Sequence, residues 1–216
     1  MFNIFSSAAR IRNKTERQLE QYSRPSVDFF VLITLSAPII AIGLILNNAA
    51  IIIGGMVVAP LISPFFGFSL NIMLFRIKGI MRSLTSIILG SALAIAISTL
   101  TGYVAILLYN ERFIMISEIL SRTKPDFLYF IVALLSGLVG AYAYARPKLS
   151  KRVVGIAISA AIVPPLSVIG LGISLLNTEL INSSLFLFLV NFVGICLGSI
   201  FMFVILGFGK EIEKPE

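Results

Sequence analysis

The feature that most constrains this chain is a succession of apolar runs, each long enough to cross a bilayer. They fall at about 27–46, 49–74, 83–108, 126–145, 153–176 and 184–208. Short polar segments separate them. Only 12% of the 216 residues are charged and 58% are hydrophobic, whereas a soluble domain carries about a quarter charged residues. The expectation is one all-α integral membrane domain with six transmembrane helices at 26–209. It is flanked by a cytoplasmic amphipathic segment at 1–25 and a cytoplasmic tail at 210–216.

The basic residues test that count. With the N-terminus inside, Arg10, Arg12, Lys14, Arg17 and Arg24 precede the first span. Arg76, Lys78 and Arg82 follow the second, Arg146, Lys148, Lys151 and Arg152 the fourth, and Lys210 and Lys214 the sixth. Fourteen basic residues lie inside against three outside, Arg112, Arg122 and Lys124. That asymmetry fits six spans with both termini in the cytoplasm of a cell (inner) membrane. The net charge of +7 is then explained by topology and anionic headgroups, not by nucleic acid. The first 24 residues hold no apolar signal-peptide core, so the first run is expected to serve as an uncleaved signal-anchor. Phe2, Phe5 and Ala9 recur at helical spacing, which fits a surface helix or a basic tail. The loop 109–125 alternates apolar and charged residues, as in a short helix on the outer surface.

Proline interrupts two of the runs, at Ala59-Pro60-Leu61-Ile62-Ser63-Pro64 and at Pro164-Pro165-Leu166-Ser167. Each proline removes a donor and frees the carbonyl four residues earlier, here Met56, Pro60, Ala160 and Ala161. Broken backbone in lipid must be buried in protein or line a wet cavity. A shift of 105 residues lays Pro60-Leu61 on Pro165-Leu166, and a shift of 98 lays Asp28-Phe29 on Asp126-Phe127. Three spans per half is an odd number, so the second half enters from the opposite side. The expected architecture is a 3+3 inverted repeat with helices 2 and 5 broken at proline.

Several stretches together resemble a known family. They are Gly43-Leu-Ile-Leu-Asn47-Asn48, Gly54-Gly55-Met-Val-Val-Ala-Pro60-Leu-Ile-Ser-Pro64, Pro125-Asp126 with Ala133-Leu-Leu-Ser-Gly137-Leu-Val-Gly140, Gly155 through Pro164-Pro165-Leu166, and Asn191-Phe-Val-Gly194-Ile. In order over 27–208, they resemble the prokaryotic uncharacterised hydrophobic-domain family, domain of unknown function 389. Many of its members carry an additional soluble region that is not among these residues. The resemblance implies a multi-pass prokaryotic membrane protein and no established activity.

Candidate site residues cluster at the prolines. Ala59, Pro60, Ser63, Pro64, Pro164, Pro165, Ser167 and Asn191 are the substrate-binding set. Half-helices starting near Pro60 and Pro165 would turn N–H groups and a positive dipole end toward an anion or zwitterion. The freed carbonyls suit Na⁺ or another hard cation instead. Two kinks repaired by neighbouring helices are the plain alternative. Asn191 serves a ligand or bonds across helices. Asn47 and Asn48 read as turn residues. Asp28 and Asp126 begin apolar runs, so each is an N-cap or a gate and ion-coupling group. Gly194 with Gly198, and Gly137 with Ala141, permit close helix approach, within the fold or across a homo-oligomer seam.

No histidine is present and the single cysteine is Cys196, so no metal site, cofactor or enzymatic role is expected. No charged residue lies deep in a span, which argues against a proton relay. The reading is a membrane transporter of a small solute or ion, its partners being membrane lipid and that solute. A non-transporting scaffold, lipid-binding or sensor module is the alternative. A membrane enzyme acting on lipid is the weakest reading.

Overall fold

The computed structural model describes residues 15–17, 19–20, 24–109, 117–123, 126–145 and 151–209, the side chains of 151–161 excepted. The readings that rest on Phe2, Phe5, Ala9, the basic residues before Thr15, Arg112, Phe113, Lys124, Arg146, Lys148 and the 210–216 tail lie outside the described residues. The described residues are helical, with no strand among them. We number the helices α1 (Val27–Ile45), α2 (Ala49–Val58), α3 (Ile62–Met73), α4 (Ile77–Tyr109), α5 (Ser117–Leu120), α6 (Phe127–Ala145), α7 (Lys151–Ser174) and α8 (Thr178–Ile205). By length and composition α1, α4, α6 and α8 each suffice to cross a membrane, and α2 with α3 makes a fifth span if the pair counts as one.

Burial follows from pattern. α1 exposes Val27, Val31, Leu35, Ile39, Ile42 and Leu46, one apolar stripe at helical spacing. α8 exposes Phe186, Leu189, Val193, Leu197, Phe201 and Val204 in the same way. Exposed stripes of large apolar residues suit acyl chains. α7 differs, because every residue from Ile162 to Gly172 is buried. A helix apolar all round belongs in the interior, and α7 packs against α1, α2, α3, α4, α6 and α8.

Helix ends fall on two faces. On one, the Asn47 carboxamide Oδ1 accepts from Ser117 Oγ (2.9 Å) and the Glu118 N–H (3.1 Å), and Ser184 Oγ donates to the Arg122 carbonyl (3.2 Å). On the other, the basic face, Thr15 Oγ1 donates to the Tyr144 carbonyl (3.2 Å), and Arg76 pairs with Glu16 and Glu20, both at 3.0 Å. The described part of the N-terminal segment thus docks on the bundle, with Leu19 fully buried. α5 is the short helix expected of the 109–125 loop. Its Ile119 is fully buried, so it too rests on protein.

Four helix ends close in the same way. A residue in the left-handed region follows the helix, at Asn47 (φ 52°), Phe75 (52°), Leu176 (54°) and Gly207 (70°). The next N–H then reaches back five residues, as Asn48 to Gly43, Arg76 to Asn71, Asn177 to Gly172 and Phe208 to Phe203. Asn48 goes on to cap α2, its Oδ1 accepting from the Ala50 and Ile51 N–H groups. The Asn47-Asn48 turn is as the sequence reads.

Element boundaries recur at a constant spacing. α1 and α6 are each 19 residues, beginning at Val27 and Phe127. α3 ends at Met73 and α7 at Ser174; α4 begins at Ile77 and α8 at Thr178. The spacing is thus 100 residues for the first pair and 101 for the others. At a spacing of 101, unlike the shift of 105, Pro165 is matched with Pro64, one helical turn beyond Pro60.

The small-residue motifs pack internally. A Cβ on Gly194 would sit 2.8 Å from Ala133 Cβ, and one on Gly198 would collide with the Leu134 carbonyl. Gly137 of α6 abuts the Ile195 carbonyl of α8 in the same manner. Backbone-on-backbone approach is the use of small residues between spans.

Candidate functional site at the helix break

Only one of the two proline segments breaks its helix. α2 and α3 meet at 57° across Ala59, Pro60 and Leu61. Ala59 is extended (φ −67°, ψ 122°), as the ring of a following proline demands. Its N–H bonds to the Met56 carbonyl at 3.3 Å, so the acceptor that Pro60 was expected to free is taken. α3 starts at Ile62 with no side-chain cap on its first turn. Pro64 occupies that turn, where a missing N–H costs nothing. Ala59 and Leu61 are 5% and 1% exposed, so the irregular backbone is inside the bundle.

Pro164 and Pro165 lie within α7, which stays helical through both. The expected break in the fifth span is therefore absent, and with it a pair of opposed half-helices. The cause is position: α7 is enclosed by six other helices, and packing on all sides holds a helix across a lost hydrogen bond. At the 101-residue spacing Pro60 is matched by Ala161, which gives no reason to break. α1 likewise runs unbroken through Pro38.

Around the break the side chains interlock. Ser63 Oγ and the Tyr144 hydroxyl are 2.9 Å apart, either able to donate. The Tyr144 ring lies 5.0 Å from that of Phe66. Phe65 meets Phe192 edge-on at 5.2 Å, and Phe68 meets it at 5.5 Å. The first turns of α3 are thereby tied to α6 through Tyr144 and to α8 through Phe192, the neighbour of buried Asn191. On α7, Ser167 is fully buried with no hydrogen-bond partner for its Oγ. Ser98 of α4 is in the same condition.

The two carboxylates are exposed. Asp126 caps α6, its Oδ1 accepting the Leu128 N–H at 3.1 Å. Asp28 does not cap α1; Ser26 does, accepting the Phe29 N–H at 3.1 Å. Asp28 sits in the first turn, where a negative charge complements the dipole. The partner of Asp126 at a 100-residue spacing is Ser26, not Asp28. Serine and aspartate are interchangeable as caps.

Sequence reasoning missed Tyr144, which lies 81 residues from Ser63 with no linear signal joining them. Its place near the end of an apolar run was the only hint, since tyrosine collects at interfaces. Among the described residues no group of His, Cys, Asp and Glu could hold a metal ion. The break offers hydroxyls, main-chain groups and aromatic walls.

A family model described as "Domain of unknown function (DUF389)" matches residues 56–197. The chain belongs to the DUF389 family. The match takes in the break, the buried prolines of α7 and Asn191. This DUF389 chain is also similar to "Uncharacterized protein MJ0678" of Methanocaldococcus jannaschii, with 32% identity over 179 residues. That alignment covers 82% of this chain and 54% of the relative, so the chain spans about half the length of the curated relative it matches. No solved structure matches it.

Proposed function

We propose that this DUF389 chain is a membrane transporter of a small solute or ion, without enzymatic activity, whose path passes the break between α2 and α3. The single observation that carries the reading is the 57° break at Ala59–Leu61, with Ala59 and Leu61 buried. Irregular backbone enclosed in a span is the usual form of a transporter site. Ser63, Tyr144 and the uncapped first turn of α3 would contact the solute, with Ser167 and Asn191 deeper among the helices. The site is asymmetric: one half breaks and the other supplies an unbroken α7.

We further infer six crossings in two inverted halves, with the basic face in the cytoplasm. Constant boundary spacing supports this, as do the left-handed residues Phe75 and Leu176, which are 101 apart. Packing is reciprocal: α3 rests on α8 and α7 on α4, each second span against the third span of the other half. Rocking one half against the other would expose the break alternately.

The test is Ser63→Cys in a Cys196→Ser background, with a membrane-impermeant maleimide applied to each side of sealed vesicles. Labelling from both sides, reduced when Pro60→Ala is added, is expected. A thiol at 63 that reacts from neither side refutes the path.

A further inference from the structure

The C-terminal end of α3, the first turns of α4 and Glu20 line a half-open pocket of about 440 Å³ on the basic face, within the range of small-ligand sites. We propose that it binds a phosphate group, carried either by an anionic phospholipid headgroup or by a soluble phosphate. The inference is independent of the transport reading.

The decisive residue is Ser83. It is buried, lines the pocket, and its Oγ has no hydrogen-bond partner among the described residues. A buried hydroxyl left unsatisfied is uncommon and unfavourable. A phosphate oxygen is an acceptor that this donor would satisfy. Lys78 and Arg82 line the same cavity. They stand four residues apart on α4, so they share a face and repel each other. Neither side chain is in an ion pair among the described residues. An anion between them would remove the repulsion and add charge-assisted hydrogen bonds.

The remaining wall is built to hold its shape. Arg76 is occupied by Glu16 and Glu20 and serves as a strut. With Glu20 counted, the lining carries three cations and one carboxylate. Asn71 is buried, and its Nδ2 donates to the Gly67 carbonyl at 2.6 Å. Its carboxamide lies where any Cβ at residue 79 would be, so only glycine fits there. Phe75 holds the left-handed backbone (φ 52°), an unfavourable conformation for a bulky residue. Ile77 and Gly79, in the first turn of α4, also line the cavity, which turns the positive end of the helix dipole toward it.

Depth agrees with the chemistry. The 33 residues of α4 span about 50 Å at 1.5 Å per residue, against a hydrocarbon core of about 30 Å. Its first turns therefore reach the headgroup layer.

The experiment uses the full chain in maltoside micelles, which contain no phosphate. One arm titrates inorganic phosphate by calorimetry. The other adds phosphatidylglycerol or phosphatidylcholine and counts retained lipid by native mass spectrometry. Binding in either arm, weakened about tenfold by Lys78→Gln with Arg82→Gln and about fivefold by Ser83→Ala, supports the site and names the source. Ser83→Ala adds no volume and removes an unsatisfied group, so its melting temperature is expected to hold or rise while binding falls. Absence of binding in both arms, or binding that neither variant weakens, overturns the proposal.

Discussion

The contact between α6 and α8 makes a sharp test, because Gly198 of α8 is packed against backbone whereas Gly54 of α2 faces open space. A Cβ on Gly198 would collide with the Leu134 carbonyl and lie 3.0 Å from Leu134 C and Leu138 N. All three are backbone atoms of α6 and cannot rotate aside. The helices must separate, and a gap of about 0.5–1 Å forfeits a quarter to a half of each dispersion contact along the seam. Overpacking costs about 1–3 kcal/mol, and rigid backbone on both sides puts this case near the top. Gly→Ala within a helix returns about 1 kcal/mol. Gly198→Ala should therefore destabilise the protein by about 2 kcal/mol net, lowering Tm by roughly 4–8 °C for a chain of this size. Gly54 has nothing within 4 Å of its Cβ position. Gly54→Ala should gain about 0.5–1 kcal/mol. The protein carries its own reporter, since Cys196 is its single cysteine and is buried. A thiol-reactive fluorogenic maleimide reads its exposure as the protein is heated in detergent. If Gly198→Ala melts at or above the parent, the helices are not in backbone contact and the reasoning fails.

Two further outcomes follow from local geometry. Leu176 is 84% exposed at φ 54°, so Leu176→Gly should stabilise by about 1 kcal/mol, and a lower Tm than the parent would contradict the left-handed assignment. Ser63→Ala and Tyr144→Phe should each destabilise modestly, with a coupling of about 1 kcal/mol in the double-mutant cycle; additive effects would mean that the hydroxyls do not bond.

What was legible in the sequence was whatever a local rule controls. Apolar length located the spans, the Asn47-Asn48 pair marked its turn, Asp126 its cap, and glycine spacing the α6–α8 seam. The break at Pro60 was legible because the residue before a proline resists the helical region. Pro164-Pro165 misled for the complementary reason. Whether a proline opens a helix depends on what encloses it, and the central place of α7 is a tertiary fact. Tyr144, Asn71 and Ser83 gain their significance only from residues brought to them by folding.

The clasp formed by Thr15, Leu19, Glu16 and Glu20 bears on how the molecule is made. The acceptor of Thr15 lies 129 residues downstream, at Tyr144. At about 5–20 residues per second of synthesis, the leading segment waits roughly 6–26 s before that carbonyl exists. Docking of the amino end is thus a late event of biogenesis, completed after the fourth apolar run has been laid into the membrane. A ribosome stalled before that point would hold a chain with its leading arm still unfastened.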